Sequence, residues 1–167
     1  PSLLTPSINF NPVIDFSGSS DIMSLTTPPP NLNSTVFTVA IPVVNTSWRT
    51  MFRGSVNDHP LIIETGADRL GYYAGGFQNS GFSWNQNETA LVGLEMRSAD
   101  VNFRKNGTQG SSITTISLTG LNLDYFGNYQ GGGQNFGKIP ETIIYNTPTA
   151  LTTTEKRKVE SYLALKY

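Results

Sequence analysis

Glu64 with Asp68, and Glu95 with Asp100, are the carboxylate pairs of this 167-residue chain that come nearest to a glycosidase arrangement. Retaining hydrolysis of a glycosidic bond needs two carboxyl groups about 5–5.5 Å apart. Strands supply that geometry as Glu-x-Asp-x-Glu or Glu-x-Asp-x-x-Glu, because alternate residues share a face. Neither pair has such a spacing, so no catalytic residue is assigned and the chain is not expected to be an enzyme. His59 is the only histidine. It cannot build a multi-histidine metal centre, and within Ser55-Val-Asn-Asp-His-Pro60 it reads as a loop residue. Cysteine is absent, which removes disulfides, thiolate chemistry and cysteine-ligated metals. Gly131-Gly132-Gly133 lacks the lysine, hydroxyl residue and helix of a phosphate loop. It reads as a turn.

Aromatic and amide side chains offer a different chemistry. Carbohydrate recognition stacks exposed rings on sugar faces and sets amides or carboxylates against the hydroxyls. Tyr72, Tyr73, Phe77, Phe82 and Trp84 fall in or beside the Gly/Asn/Ser-rich stretch 71–87, and Tyr125, Phe126 and Tyr129 flank Gly127-Asn128. Asn128, Gln130 and Gln134 add amides. The candidate ligand-binding set is Tyr72, Tyr73, Trp84, Tyr125, Asn128, Tyr129 and Gln134, presented by loops at one rim. Each ring taken singly also reads as core or loop packing.

These residues must be held by short strands, because Pro and Gly punctuate the whole chain. Strand-like runs fall at 12–16, 21–25, 35–41, 48–52, 61–64, 69–73, 90–96, 101–105, 113–118, 121–125 and 139–145. In 35–41 the alternation puts Phe37, Val39 and Ile41 on one face. Three consecutive prolines, 28–30, make an exposed connection, since proline donates no ladder hydrogen bond. Asn106-Gly107 is the strongest hairpin-turn signal, as both residue types tolerate positive φ. One helix is predicted, over 152–166. Thr152 and Glu155 form a capping box at its start, and Val159, Tyr162 and Leu163 share a face that packs on an end or edge of the sheets. Many short strands with one helix mean an all-β sandwich or barrel, in a single domain over 1–167.

Only 14% of residues are charged, with Lys+Arg 11 against Asp+Glu 12. Nucleic-acid binding needs a basic stripe, so no nucleic-acid partner is expected. No apolar run reaches the roughly 18–20 residues of a membrane span, and residues 1–6 do not read as a signal peptide. The uncharged polar composition suits an extracellular, cell-surface or virion-surface setting.

The C-terminal segment 135–167 carries a resemblance. Its Gly-Lys-Ile-Pro-Glu-Thr-Ile-Ile-Tyr-Asn strand and Leu-Thr-Thr-Thr-Glu-Lys…Glu-Ser-Tyr-Leu-Ala-Leu-Lys-Tyr helix resemble the end of laminin-G-like, concanavalin A-type jelly-roll domains. Asp15-Phe16-Ser17-Gly18, Trp84, Asn106-Gly107 and Phe126-Gly127 match the same pattern more loosely. The resemblance implies an all-β, concanavalin A-like two-sheet antiparallel jelly roll with one short C-terminal helix, and core positions for Trp84 and Phe126. It also implies a non-catalytic recognition or adhesion module that binds glycans or a surface protein. The alternative is a structural or decoration domain of a virion or extracellular assembly, with protein or self-assembly partners. Relatives often carry calcium at a loop edge. That ion takes six to eight oxygen ligands, for which Asn57, Asp58, Glu64 and Asp68 are the candidates, with ordinary turn roles as the competing reading. Glu141 matches an acidic position of the last strand. Lying between Ile139 and Ile143, it must be paired or heavily hydrogen-bonded, tied to a neighbouring backbone or to an arginine, with Arg53, Arg69, Arg97 and Arg104 as the candidates.

Overall fold

The computed structural model describes residues 1–25, 33–43, 47–54, 58–97, 100–114, 123–129 and 133–167. Two antiparallel sheets face each other. The first has seven strands. These are β1 (Ser2–Ile8), β2 (Asn11–Asp15), β4 (Ser34–Pro42), β9 (Ala90–Met96), β10 (Val101–Lys105), β11 (Thr108–Ile113) and β13 (Gly137–Asn146). They are ordered β1-β2-β13-β4-β9-β10-β11. The second contains β3 (Met23–Ser24), β5 (Arg49–Arg53), β6 (Asp58–Ile63), β7 (Arg69–Ala74), β8 (Phe77–Ser83) and β12 (Tyr125–Phe126). Its order is β3-β12-β5-β6-β7-β8.

Period-2 alternation builds the core between the sheets. From β4 come Val36 and Ala40, from β9 Val92 and Leu94, from β6 Leu61 and Ile63, and from β7 Leu70 and Tyr72. Phe16 lies edge-on to Phe126 at 5.3 Å. Its ring occupies the space beside Gly127, where a Cβ would stand 2.1 Å from it at a φ of +92°, so only glycine fits. Asn106 and Gly107 have φ of 48° and 79° and join β10 to β11 through the Lys105–Thr108 pair. That is the expected tight hairpin.

The other face of β4 explains the helix. Phe37 and Val39 point away from the sandwich, and α1 (Thr153–Lys166) covers them with Leu163, Val159 and Tyr167. The Thr152–Glu155 capping box is formed in both directions. The helix therefore lies over the middle of the seven-stranded sheet, against β4 and β9, not over an end or edge. Three ion pairs fasten it, Lys156 to Glu95, Glu160 to Arg104 and Lys166 to Glu141. Glu141 thus takes a lysine in place of the expected arginine, and the Tyr162 and Tyr167 hydroxyls add hydrogen bonds at 3.3 and 2.9 Å. Burial would raise its pKa, but these donors outweigh burial and hold it below the usual range. Tyr162 itself is 47% exposed; its ring carries the Lys166 ammonium at 5.4 Å and is no part of the helix's buried face.

Two strands went unpredicted. β1 lies in a segment without alternation, and β8 runs through the Gly/Asn/Ser-rich stretch read as loop. β11 meets the strand expected at 113–118 only at Ile113, and the rest of that run from 115 on, with residues 121–122 and the prolines 28–30, falls outside the described residues. Among the described residues no helix is long and apolar enough to cross a membrane.

Candidate ligand-binding face on the six-stranded sheet

The outward face of the six-stranded sheet carries a continuous row of rings. Along β7 the alternation sends Leu70 and Tyr72 into the core and Tyr73 outward. Trp48, just before β5, meets Tyr73 edge-on at 6.2 Å and Phe77 at 5.5 Å. His59 on β6 follows, 6.0 Å from Tyr73 and 5.4 Å from Tyr129. Arg53 ends the row, its guanidinium 4.5 Å from the Tyr129 ring centre and 5.6 Å from that of Tyr125. Room for Phe77 comes from Gly71, where a Cβ would stand 2.0 Å from the Gln78 carbonyl oxygen and 2.8 Å from the Phe77 ring.

Trp48, His59, Ile62, Tyr73 and Gln134 line a depression of about 230 Å³ in this face. Drug-sized ligands occupy roughly 300–1,000 Å³, so the depression suits a small part of a ligand lying across the row. Its polar side is ordered. The Thr50 hydroxyl donates to Gln134 Oε1 at 2.8 Å and stands 3.1 Å from His59 Nδ1. A threonine hydroxyl has one proton. With that proton directed at Gln134, Nδ1 of His59 is the donor and Nε2 carries the ring's lone pair. Burial, reinforced by the Arg53 charge, pushes the His59 pKa down to about 4, so the ring is neutral at physiological pH.

Four of the predicted ligand residues, Tyr73, Tyr125, Tyr129 and Gln134, come together here. Three do not. Tyr72 is 1% exposed in the core, where burial drives its pKa up to about 12. Trp84 is also interior, edge-on to Phe136 at 5.2 Å, with Nε1 donating to the Glu88 carbonyl at 3.0 Å. Asn128 is buried as a turn clamp, donating to the Ser19 carbonyl at 3.0 Å and accepting from the Tyr129 N–H at 2.7 Å. Tyr73 and Tyr125 are strand residues and not rim-loop ones, while Tyr129 follows β12 outside any strand. Trp48, His59 and Arg53 were missed. His59 is a strand residue, and its alternation with the inward Leu61, broken by a bulge at Pro60, is too short a signal to read.

The three described members of the calcium set, Asp58, Glu64 and Asp68, do not converge. Asp58 opens β6 and Glu64 directly follows it, so six residue steps separate them by roughly 20 Å. Glu64 is held by Arg69 and Asp68 by the buried Arg49, while Asn57 lies outside the described residues. No group of three or more His, Cys, Asp or Glu that could hold a metal occurs among the described residues.

No protein-family model matches the chain, and no curated protein matches it in sequence. Solved structures match in shape. The native heptameric SAP-like pentraxin from Limulus polyphemus superposes with a TM-score of 0.65 at 12% identity, covering 92% of this chain and 83% of the pentraxin. A mutant of HCR D/C VPI 5995 gives 0.65 at 15% identity, over 97% of this chain and 46% of that one. The Trypanosoma rangeli sialidase in complex with sialic acid gives 0.63 at 16% identity and covers 92% of this chain. This chain spans only 28% of the sialidase's length. At such identities the likeness speaks for fold alone, and the fold is a concanavalin A-like, two-sheet antiparallel jelly roll with one short C-terminal helix.

Proposed function

We propose that this chain is a non-catalytic recognition module of laminin-G-like type that binds a saccharide across the outward face of its six-stranded sheet. The row Phe77–Trp48–Tyr73–His59–Tyr129 beside an open depression carries the reading. Apolar sugar faces stack on such rings, while Gln134 and His59 line the depression as the polar groups nearest a hydroxyl and the buried Thr50 hydroxyl orients both from behind. The pentraxin and sialidase likenesses are compatible with it at the level of fold. A binding role, and not hydrolysis, is supported by the carboxylates themselves. Glu64, Asp68 and Glu95 are each tied to arginine, and none lines the depression. The low charge and polar surface suit an extracellular, cell-surface or virion-surface setting.

The test is a glycan array followed by calorimetry on wild type, Trp48→Ala and Tyr73→Ala. Selective binding weakened about tenfold or more in each variant is the expected result. Silence from the folded wild type, or full affinity in both variants, overturns the reading.

A protein partner is the second reading, and one observation favours it. Phe10 is 90% exposed at a φ of +64°, in the turn whose Asn9 and Asn11 amides donate to the Lys166 carbonyl at 3.1 and 3.0 Å. Leu165, 85% exposed, lies beside that same helix end. If Phe10→Ser abolishes co-assembly while glycans fail to bind, this reading replaces the first.

A further inference from the structure

We infer that the aromatic face selects acidic saccharides, with Arg53 as the partner of a sugar carboxylate. This rests on the saccharide reading above and adds a charge requirement to it. Arg49, Arg69, Arg97 and Arg104 each hold a carboxylate. Arg53 and the helix residue Arg157 have no ion pair to a carboxylate among the described residues, and of these two it is Arg53 whose guanidinium lies over the rings of Tyr125 and Tyr129 on the aromatic face. The remaining residues of the chain include neither Asp nor Glu, so there is no further side-chain carboxylate to offer. Nε of Arg53 is buried without a hydrogen-bond partner among the described residues.

Geometry makes this cation part of the face. Arg53 lies on β5 five residues beyond Trp48, so the row extends roughly 16 Å, long enough for an oligosaccharide. Tyr125 stands directly across from Arg53 in the strand register and fixes the guanidinium from one side while Tyr129 covers it from another. A guanidinium seated over rings, with its Nε buried, leaves the two Nη groups as the donors for bidentate contact with a carboxylate. The neighbouring His59, neutral at physiological pH, adds no competing charge.

The deciding experiment uses a matched pair of oligosaccharides, a uronate-containing glycan and its neutral methyl ester, titrated into wild type, Arg53→Gln and Trp48→Ala. Wild type is expected to prefer the acid by about tenfold or more, with the preference shrinking as salt screens the contact. Arg53→Gln is expected to bind both forms alike, at the ester's affinity, and Trp48→Ala to lose both. Equal binding of acid and ester by wild type overturns the charge requirement and leaves the saccharide reading standing. Binding of neither by folded wild type overturns both. Because the acid–ester comparison is made on wild type, its outcome does not depend on whether a variant folds.

Discussion

The Thr50 hydroxyl on β5 stands 3.1 Å from Nδ1 of His59 on β6, and that contact orients an imidazole that burial keeps uncharged in the middle of the aromatic row. The ring is 3% exposed, so protonation would place a cation beside Arg53 with little water to solvate it.

Stability should therefore fall in acid in a way that His59 controls. Its folded-state pKa, about 4, lies below the 6.5 of the unfolded chain. Between those values the unfolded chain takes up a proton that the folded one refuses. The contribution is complete above pH 6.5 and declines by about 3 kcal/mol as the pH approaches 4. Urea midpoints at neutral pH and at about pH 4.5 should show His59→Gln losing less stability than wild type. Equal losses would mean that His59 does not govern the acid response.

The Arg49–Asp68 pair leads to a second expectation. Arg49 is fully buried, and Asp68 retains 30% side-chain exposure. Asp68→Asn leaves a buried guanidinium without its counter-charge, at a cost of about 2–4 kcal/mol, lowered by Asp68's access to solvent. Glu64→Gln faces the exposed Arg69 and should cost far less. A chemical-denaturation series on both variants checks the order, and the reverse order would contradict it.

How much of this was legible beforehand depends on the element. The helix and its cap could be read because Thr152, Glu155 and the 159/163 spacing are local signals. Its seat could not. Phe37 and Val39 form an apolar face whether they line a sandwich interior or lie beneath a helix, and only the sheet order distinguishes the two. Tyr72 and Tyr73 show the same limit at the site. Alternation says that one of them points inward, and Leu70 on the same face as Tyr72 was the local clue. Trp48 was harder, since its ring contacts are Tyr73 on β7 and Phe77 on β8, which nothing in the local sequence joins to it.

Calcium is expected to leave the thermal midpoint of the wild type unchanged. A ligand that binds the folded state raises stability by mass action, but Glu64 and Asp68 already face arginines, and Asp58 stands at the far end of β6. Scanning calorimetry with excess calcium and with chelator is the measurement. A calcium-dependent rise that disappears in Asp68→Asn would restore the loop-edge site.

Leu163 tests whether the helix is integral to the sheet it covers. Fully buried against Phe37, Val39 and Leu91, it should cost about 2–4 kcal/mol as Ala. Leu165→Ala, at an exposed position two residues on, should be nearly silent. Comparable losses at both positions would mean that the apolar seat on β4 is not what holds the helix.

The two tryptophans separate folding from binding. Trp84, at 0% exposure in the sandwich, should cost about 3–5 kcal/mol when cut to Ala, through the transfer and cavity terms together. Trp48 is half-buried on the outward face, where its neighbours are other rings of the row and its removal opens no enclosed cavity. Its loss should leave the unfolding midpoint close to wild type while removing the platform. Saccharide binding should accordingly change the emission of Trp48 alone. The Trp84→Phe protein, which keeps a ring against Phe136, should retain the full fluorescence response to ligand, and the Trp48→Phe protein should lose it. A response carried by Trp84 would place the ligand somewhere other than the six-stranded sheet's outer face.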